Sequence, residues 1–223
     1  MPRPTFTQLA EEKRERILKN AAALFAEKGF TRADVAQLAS SAGVAKGSLY
    51  NYFDNKEDLY RFACREGLRR FRQAIYGAIE PEWDVFRQVE HFFSEGAAFA
   101  REHPDFIKLF INISSAGQEE FAEDLAPDAE KYFADHFKAL IKKGVRAGLV
   151  RRDLDPALAA FVINSLYVAC LASLVNRYFQ IRMEEYLEIP VSITDASEGS
   201  PAGFRRVVDL IHGFLRPYPV QGD

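Results

Sequence analysis

The chain is short of the residues on which most small-site chemistry depends. It holds two cysteines, Cys64 and Cys170, far apart and in no C-x-x-C or zinc-type pair, so a reduced, cytoplasmic setting is expected. The four histidines, His91, His103, His136 and His212, are scattered. None stands in an H-E-x-x-H arrangement, and there is no G-x-S-x-G and no glycine-rich phosphate loop. No catalytic residue, metal site or cofactor is therefore assigned, and the chain is not expected to be an enzyme. Glu90, His91 and Glu95 could share a helix face, but solvated or capping roles suit them better than a metal. The first residues, "MPRPTFTQLAEEKRERIL", contain no apolar core of a secretory signal, and no convincing alternating strand pattern occurs anywhere.

A strong charge of one sign is also missing. The formal net charge is −3 with 27% charged residues, which argues against a whole-molecule polycation. The balance is uneven, however: residues 1–70 carry 13 Lys/Arg and 9 Asp/Glu, whereas the other 153 carry 16 and 23. A basic first part on an acidic body fits a protein that meets a polyanion with that first part only. One long stretch has no charge at all, "ALAAFVINSLYVACLASLV", Ala157 to Val175. Its 19 residues raise the question of a membrane span, but a charged helix continues through Arg177, Arg182 and Glu184 without a basic or aromatic belt. Two-sided burial, one face on its own domain and the other on a partner chain, is the better reading, and no membrane is expected.

What is present reads as helix throughout, so an all-α fold is expected. Ile17, Ala21, Leu24 and Phe25 mark one face of a helix that Gly29 ends. "TRAD" places Thr31 as N-cap with Asp34 three residues on, opening a short helix with Val35, Leu38, Ala39 and Ala42 on its apolar face. Gly43 supplies a left-handed turn residue. A second short helix spans about Ala45 to Tyr52, and Asn55 caps the next. Two short helices on a tight glycine turn, braced by a preceding helix, form a helix-turn-helix unit. Leu49 and Phe53 anchor its second helix. Lys46, Gly47, Ser48 and Asn51 are then expected to read base edges of a double-stranded DNA operator. Thr31, Tyr50, Tyr52 and Lys56 are expected to contact phosphates.

The stretch "FAEKGFTRADVAQLASSAGVAKGSLYNYFDNKEDL", Phe25 to Leu59, resembles the DNA-binding domain of TetR/AcrR-type transcriptional repressors. The Gly29-Phe30 pair, the Ala-Gly-Val turn, the Gly-Ser-Leu-Tyr start and the Phe-x-Asn-Lys-Glu exit are all in register. Ala45 departs from the serine that many members place there as a helix cap. The resemblance implies a three-helix DNA-binding domain over residues 1–70 and a helical ligand-binding and dimerisation domain over 71–223. It implies a homodimer released from a palindromic operator by a small-molecule effector. The acidic, phenylalanine-rich second domain leans toward a hydrophobic or cationic amphipathic effector over a phosphorylated one, with an acyl-thioester left open. Phe93, Phe110 and Phe137 are expected to line an effector cavity, with Asn112, Asn164 and Tyr167 as polar handles.

Helices are expected over about 83–102, 104–115, 119–147, 156–187 and 203–216, with a small, polar loop over 189–203. In "FRRVVDLIHGFLRPY", Phe204, Val207, Val208, Ile211 and Phe214 fall on one apolar stripe. With Phe161 on the charge-free helix, they are expected to form a dimer seam of four helices. The rival reading is a helical interaction or membrane-anchored module that uses residues 157–175.

Overall fold

The computed structural model describes residues 2–113, 119–188 and 201–218. Among these residues it contains helices and no strand. Eleven helices are described: α1 (Pro4–Thr7), α2 (Glu11–Arg32), α3 (Val35–Ser41), α4 (Lys46–Tyr52), α5 (Lys56–Tyr76), α6 (Val85–Glu102), α7 (Pro104–Ile113), α8 (Glu119–Arg146), α9 (Pro156–Val175), α10 (Arg177–Leu187) and α11 (Ala202–Leu215). By packing they form two units. The first comprises Met1–Arg70 and Asp105–Pro127, the second Phe71–Pro104 and Asp128–Asp223. Residues 105–127, expected with the second domain, thus pack with the first 70. The unit boundaries fall inside α5 and α8 and after the first residue of α7.

The first unit is built on an aromatic core. Phe25, Phe53 and Tyr60 are buried with Leu38, Leu49 and Leu59, and Leu109, Ile113, Phe121 and Leu125 join them from α7 and the start of α8. Phe121 meets Phe30 and Tyr60 edge-on, with ring centroids 4.7 and 4.6 Å apart. At the surface Arg61 pairs with Asp124 at 2.6 Å and Arg65 with the same carboxylate at 2.9 Å. Sequence periodicity missed α1, a single turn opened by Pro4 whose Phe6 is buried against Phe53 and Phe62.

In the second unit α9 packs against α6, α10 and α11. By length and composition α9 could cross a bilayer, and Ala159, Ile163, Tyr167, Cys170 and Leu171 on it are buried within the unit. The single helix expected over 156–187 is two. Asn176 is extended (φ −130°, ψ 121°), and its side-chain oxygen accepts from the Tyr178 and Phe179 amides at 3.0 and 3.4 Å. A side chain that caps a new helix ends the old one. The loop expected over 189–203 lies mostly outside the described residues, and its last two residues open α11.

Candidate nucleic-acid interface and sensor core

The α3–α4 pair is assembled from local chemistry. Asp34, not Thr31, caps α3: its carboxylate accepts from the Ala36 amide at 2.8 Å. Thr31 is an exposed residue in the last turn of α2, whose path is kinked at Gly29. At the far end of α3, Gly43 takes φ +64°, a conformation that costs a side-chain-bearing residue about 1 kcal/mol or more. The Gly43 and Val44 amides return to the carbonyls of Ser40 and Ala39 at 3.1 and 2.9 Å. Arg16 closes the turn from α2, its Nε donating to the Ala42 carbonyl at 2.8 Å. Ala45, the N-cap of α4, supplies no side-chain cap.

Leu49 and Phe53 hold α4 down and are buried as expected. The opposite side carries Lys46, Gly47, Tyr50 and Asn51, all exposed, with Ser48 half-buried beside them. A Cβ on Gly47 would meet nothing within 4 Å, so that side of the helix is open to close approach. These five are brought together on one surface.

Two of the expected phosphate contacts, Tyr52 and Lys56, have partners within the protein, while the Thr31 side chain is exposed. Tyr52 is 8% exposed where Tyr50 is 42%: its ring lies 6.0 Å from Phe6 and under the Lys13 ammonium. Half-buried Lys56 is engaged with its own chain. Its Nζ donates to the carbonyls of Thr31 and Ala33 at 3.1 and 3.0 Å and sits 4.7 Å above the Phe30 ring, so it caps the end of α2. The Thr31 backbone is part of that arrangement. The sequence also gave no sign of the N-terminal arm, which is stitched to the end of α4. Arg3 N–H donates to the Tyr52 carbonyl at 2.8 Å, the Thr5 hydroxyl to the Asn51 carbonyl at 2.5 Å, and the Arg3 guanidinium pairs with Asp54 at 2.6 Å. Carbonyls that a helix end leaves orphaned are satisfied here by another segment.

The expected cavity residues separate into two groups. Phe110 and Asn112 lie on α7 in the first unit, where Asn112 Nδ2 reaches the Ala26 carbonyl at 3.4 Å. Asn164 is half-exposed, with its amide toward Glu130 at 3.3 Å. Phe93, Phe137 and Tyr167 do converge, in a buried aromatic cluster of the second unit. Tyr167 is 1% exposed and 5.1 Å from Phe93, and Phe92 bridges Tyr167 and Phe137 at 6.0 and 4.9 Å. Gly96 makes room for the phenol, since a Cβ there would stand 2.2 Å from Tyr167 Oη.

Sequence reasoning missed the polar half of this cluster: Arg72, Tyr76 and His136. Arg72 and Tyr76 are one helical turn apart on α5, a spacing that could have flagged them. The Tyr76 ring is 5.0 Å from His136 and 4.8 Å from Tyr132, and the Arg72 guanidinium lies 4.5 Å over Tyr132. Arg72 Nε, Tyr76 Oη, His136 Nε2 and Tyr167 Oη are buried without a hydrogen-bond partner. Each such atom costs about 1–3 kcal/mol. Burial raises the Tyr76 and Tyr167 phenols above their ordinary pKa and lowers that of His136, so all three are held neutral. Burial also pushes the Cys64 and Cys170 thiols up to about 12, which leaves both unreactive near neutral pH.

The expected seam is corrected on one helix. Phe204, Val207, Val208 and Ile211 are buried against their own chain, so the apolar stripe of α11 serves the interior of its unit. Its outer side carries Leu210, 63% exposed, with Phe214 half-buried beside it. On α9, Phe161 is 68% exposed and Leu158 61%.

A short capped helix, a glycine turn and a second helix with an open polar side define a helix-turn-helix DNA-binding regulator. Residues 17–62 match the family described as bacterial regulatory proteins, tetR family, and the resemblance to regulators of that kind extends beyond this segment. It is 26% identical to the uncharacterized HTH-type transcriptional regulator YhgD of Bacillus subtilis, over 72% of this chain and 83% of that one. It is 27% identical to the HTH-type transcriptional repressor KstR2 of Mycolicibacterium smegmatis, over 70% of this chain and 77% of the relative. The crystal structure of the transcriptional regulator FadR from Bacillus subtilis in complex with stearoyl-CoA shares the fold. Its TM-score is 0.70 at 18% identity, with 91% of this chain and 99% of that one covered.

Proposed function

We propose that the protein is a cytoplasmic repressor that binds a palindromic operator as a homodimer and leaves it when a small, largely hydrophobic effector binds the second unit. The observation that carries this reading is the open side of α4, where Lys46, Gly47, Tyr50 and Asn51 stand free while Leu49 and Phe53 fix the helix from behind. Lys46 suits guanine O6 and N7, and Asn51 suits adenine N6 and N7. Tyr50 offers a hydroxyl to phosphate. A dimer puts two such helices on the half-sites of a palindrome. Leu158, Phe161, Leu210 and Phe214 are the residues proposed for its seam. The buried aromatic cluster with its unpartnered polar atoms is the effector site.

Release follows from population shift: an effector favours the state it binds better, and lowers operator affinity by its differential affinity for the two states. A gel shift with the duplex upstream of the protein's own gene, at physiological salt and with an unrelated duplex as competitor, tests the reading. Retarded, competitor-resistant complexes are expected. Equal binding to both duplexes sinks the operator reading.

A further inference from the structure

Apart from Gln88 Oε1, which only accepts, the buried unpartnered side-chain atoms of the second unit can all donate a hydrogen bond. Arg72 Nε can only donate, and a phenol held protonated by its surroundings donates more readily than it accepts. These groups, with His136 Nε2, sit together: Arg72 over Tyr132, Tyr132 edge-on to Tyr76, Tyr76 edge-on to His136. The Arg72 guanidinium also donates from Nη2 to the Asp128 carbonyl at 2.6 Å, a neutral partner. Among the described residues it makes no ion pair with a carboxylate. Beside this polar end lies an apolar wall of Phe92, Phe133 and Phe137.

We infer that this core binds an apolar carboxylic acid, its carboxylate received by Arg72, Tyr76 and His136 and its body lying along the phenylalanine wall. This deepens the sensor reading above and rests on it. The donors call for a ligand that only accepts, and the single guanidinium calls for one negative charge. An amine is repelled by Arg72, against the cationic alternative that composition left open. A dianionic phosphate carries twice the charge the site can answer.

The test uses the full chain without DNA and a panel of acids paired with their alcohols: octanoate and dodecanoate with octanol and dodecanol, 4-phenylbutanoate with 4-phenylbutanol, and 2-naphthylacetate with 2-(2-naphthyl)ethanol. Binding is read by calorimetry and thermal shift. At least one acid is expected to bind at least about tenfold more tightly than its alcohol, as expected for a charge-assisted contact. Arg72→Gln should bring that acid down to its alcohol's level, and Tyr76→Phe should weaken it several-fold. Should Arg72→Gln fail to fold, Tyr76→Phe and Arg72→Lys carry the comparison, with the lysine expected to keep part of the preference for the acid. The inference is overturned if no acid binds, if acids and alcohols bind alike, or if the folded variants keep the full preference. Operator binding is scored separately: a protein that binds its operator and none of the acids loses this inference and keeps the regulator reading.

Discussion

The Lys56 ammonium lies 3.0 Å from the carbonyl of Ala33 and 3.1 Å from that of Thr31, so a residue at the start of α5 closes the end of α2. A cation at a helix C-terminus interacts favourably with the dipole and with the last carbonyls. Lys56→Met is expected to lower stability by about 1–2 kcal/mol, read from urea unfolding. Its effect on the salt dependence of operator binding should be small. A phosphate-contacting lysine would instead reduce the log–log salt slope by about one when removed, and that result would return Lys56 to the DNA surface.

The open side of α4 predicts two kinds of behaviour. Tyr50→Phe should weaken binding to all duplexes alike, whereas Lys46→Ala and Asn51→Ala should cost about 1–3 kcal/mol and relax preference at particular base pairs. Selection from a random duplex pool distinguishes them. An unchanged motif with Lys46→Ala and Asn51→Ala would show that base reading lies elsewhere.

On the proposed seam, Phe161→Asp or Leu210→Asp should give soluble monomer at micromolar concentration, followed by sedimentation. Apolar burial at about 25 cal/mol per Å² is lost there while the interior of each protomer is untouched. Ile211→Asp should behave differently and unfold the second unit, because Ile211 is buried in its own chain. A dimeric Phe161→Asp protein would place the interface on another surface.

His136 gives a pH prediction. Burial holds its folded-state pKa below the ordinary 6.5, so the unfolded chain binds a proton first as pH falls. Stability from this residue is fully present above about pH 6.5 and is lost as pH drops through the lower folded value. His136→Gln should flatten the fall of unfolding free energy below pH 6.5. An identical slope in wild type and variant would show that other groups set the acid limb.

The helix-turn-helix unit was largely legible because its signals are local: the glycine at 43, the anchors Leu49 and Phe53, and the charged exit at residues 55–58 each act within a few residues. Even there, the capping role moved from Thr31 to Asp34. The partners of Tyr52 and Lys56, Phe6 and the end of α2, are distant in sequence and invisible to periodicity. The α11 stripe was read correctly as apolar, but spacing cannot say whether such a stripe meets its own domain or another chain. Phe110 and Asn112 were grouped with Phe93 and Tyr167 by composition, whereas packing assigns α7 to the first unit. Arg72, Tyr76 and His136 escaped notice because each looks like an ordinary surface or core residue until its neighbours are known.

The arm at residues 3–6 bears on how the protein should be labelled. Because Arg3 and Thr5 hold the carbonyls of Tyr52 and Asn51, a dye or affinity peptide joined ahead of Pro4 sits next to the DNA-facing helix. A bulky tag there is expected to compete with the duplex for space and to lower apparent affinity in operator-binding assays. A small fluorophore at the same place, chosen for that reason, reports duplex engagement directly.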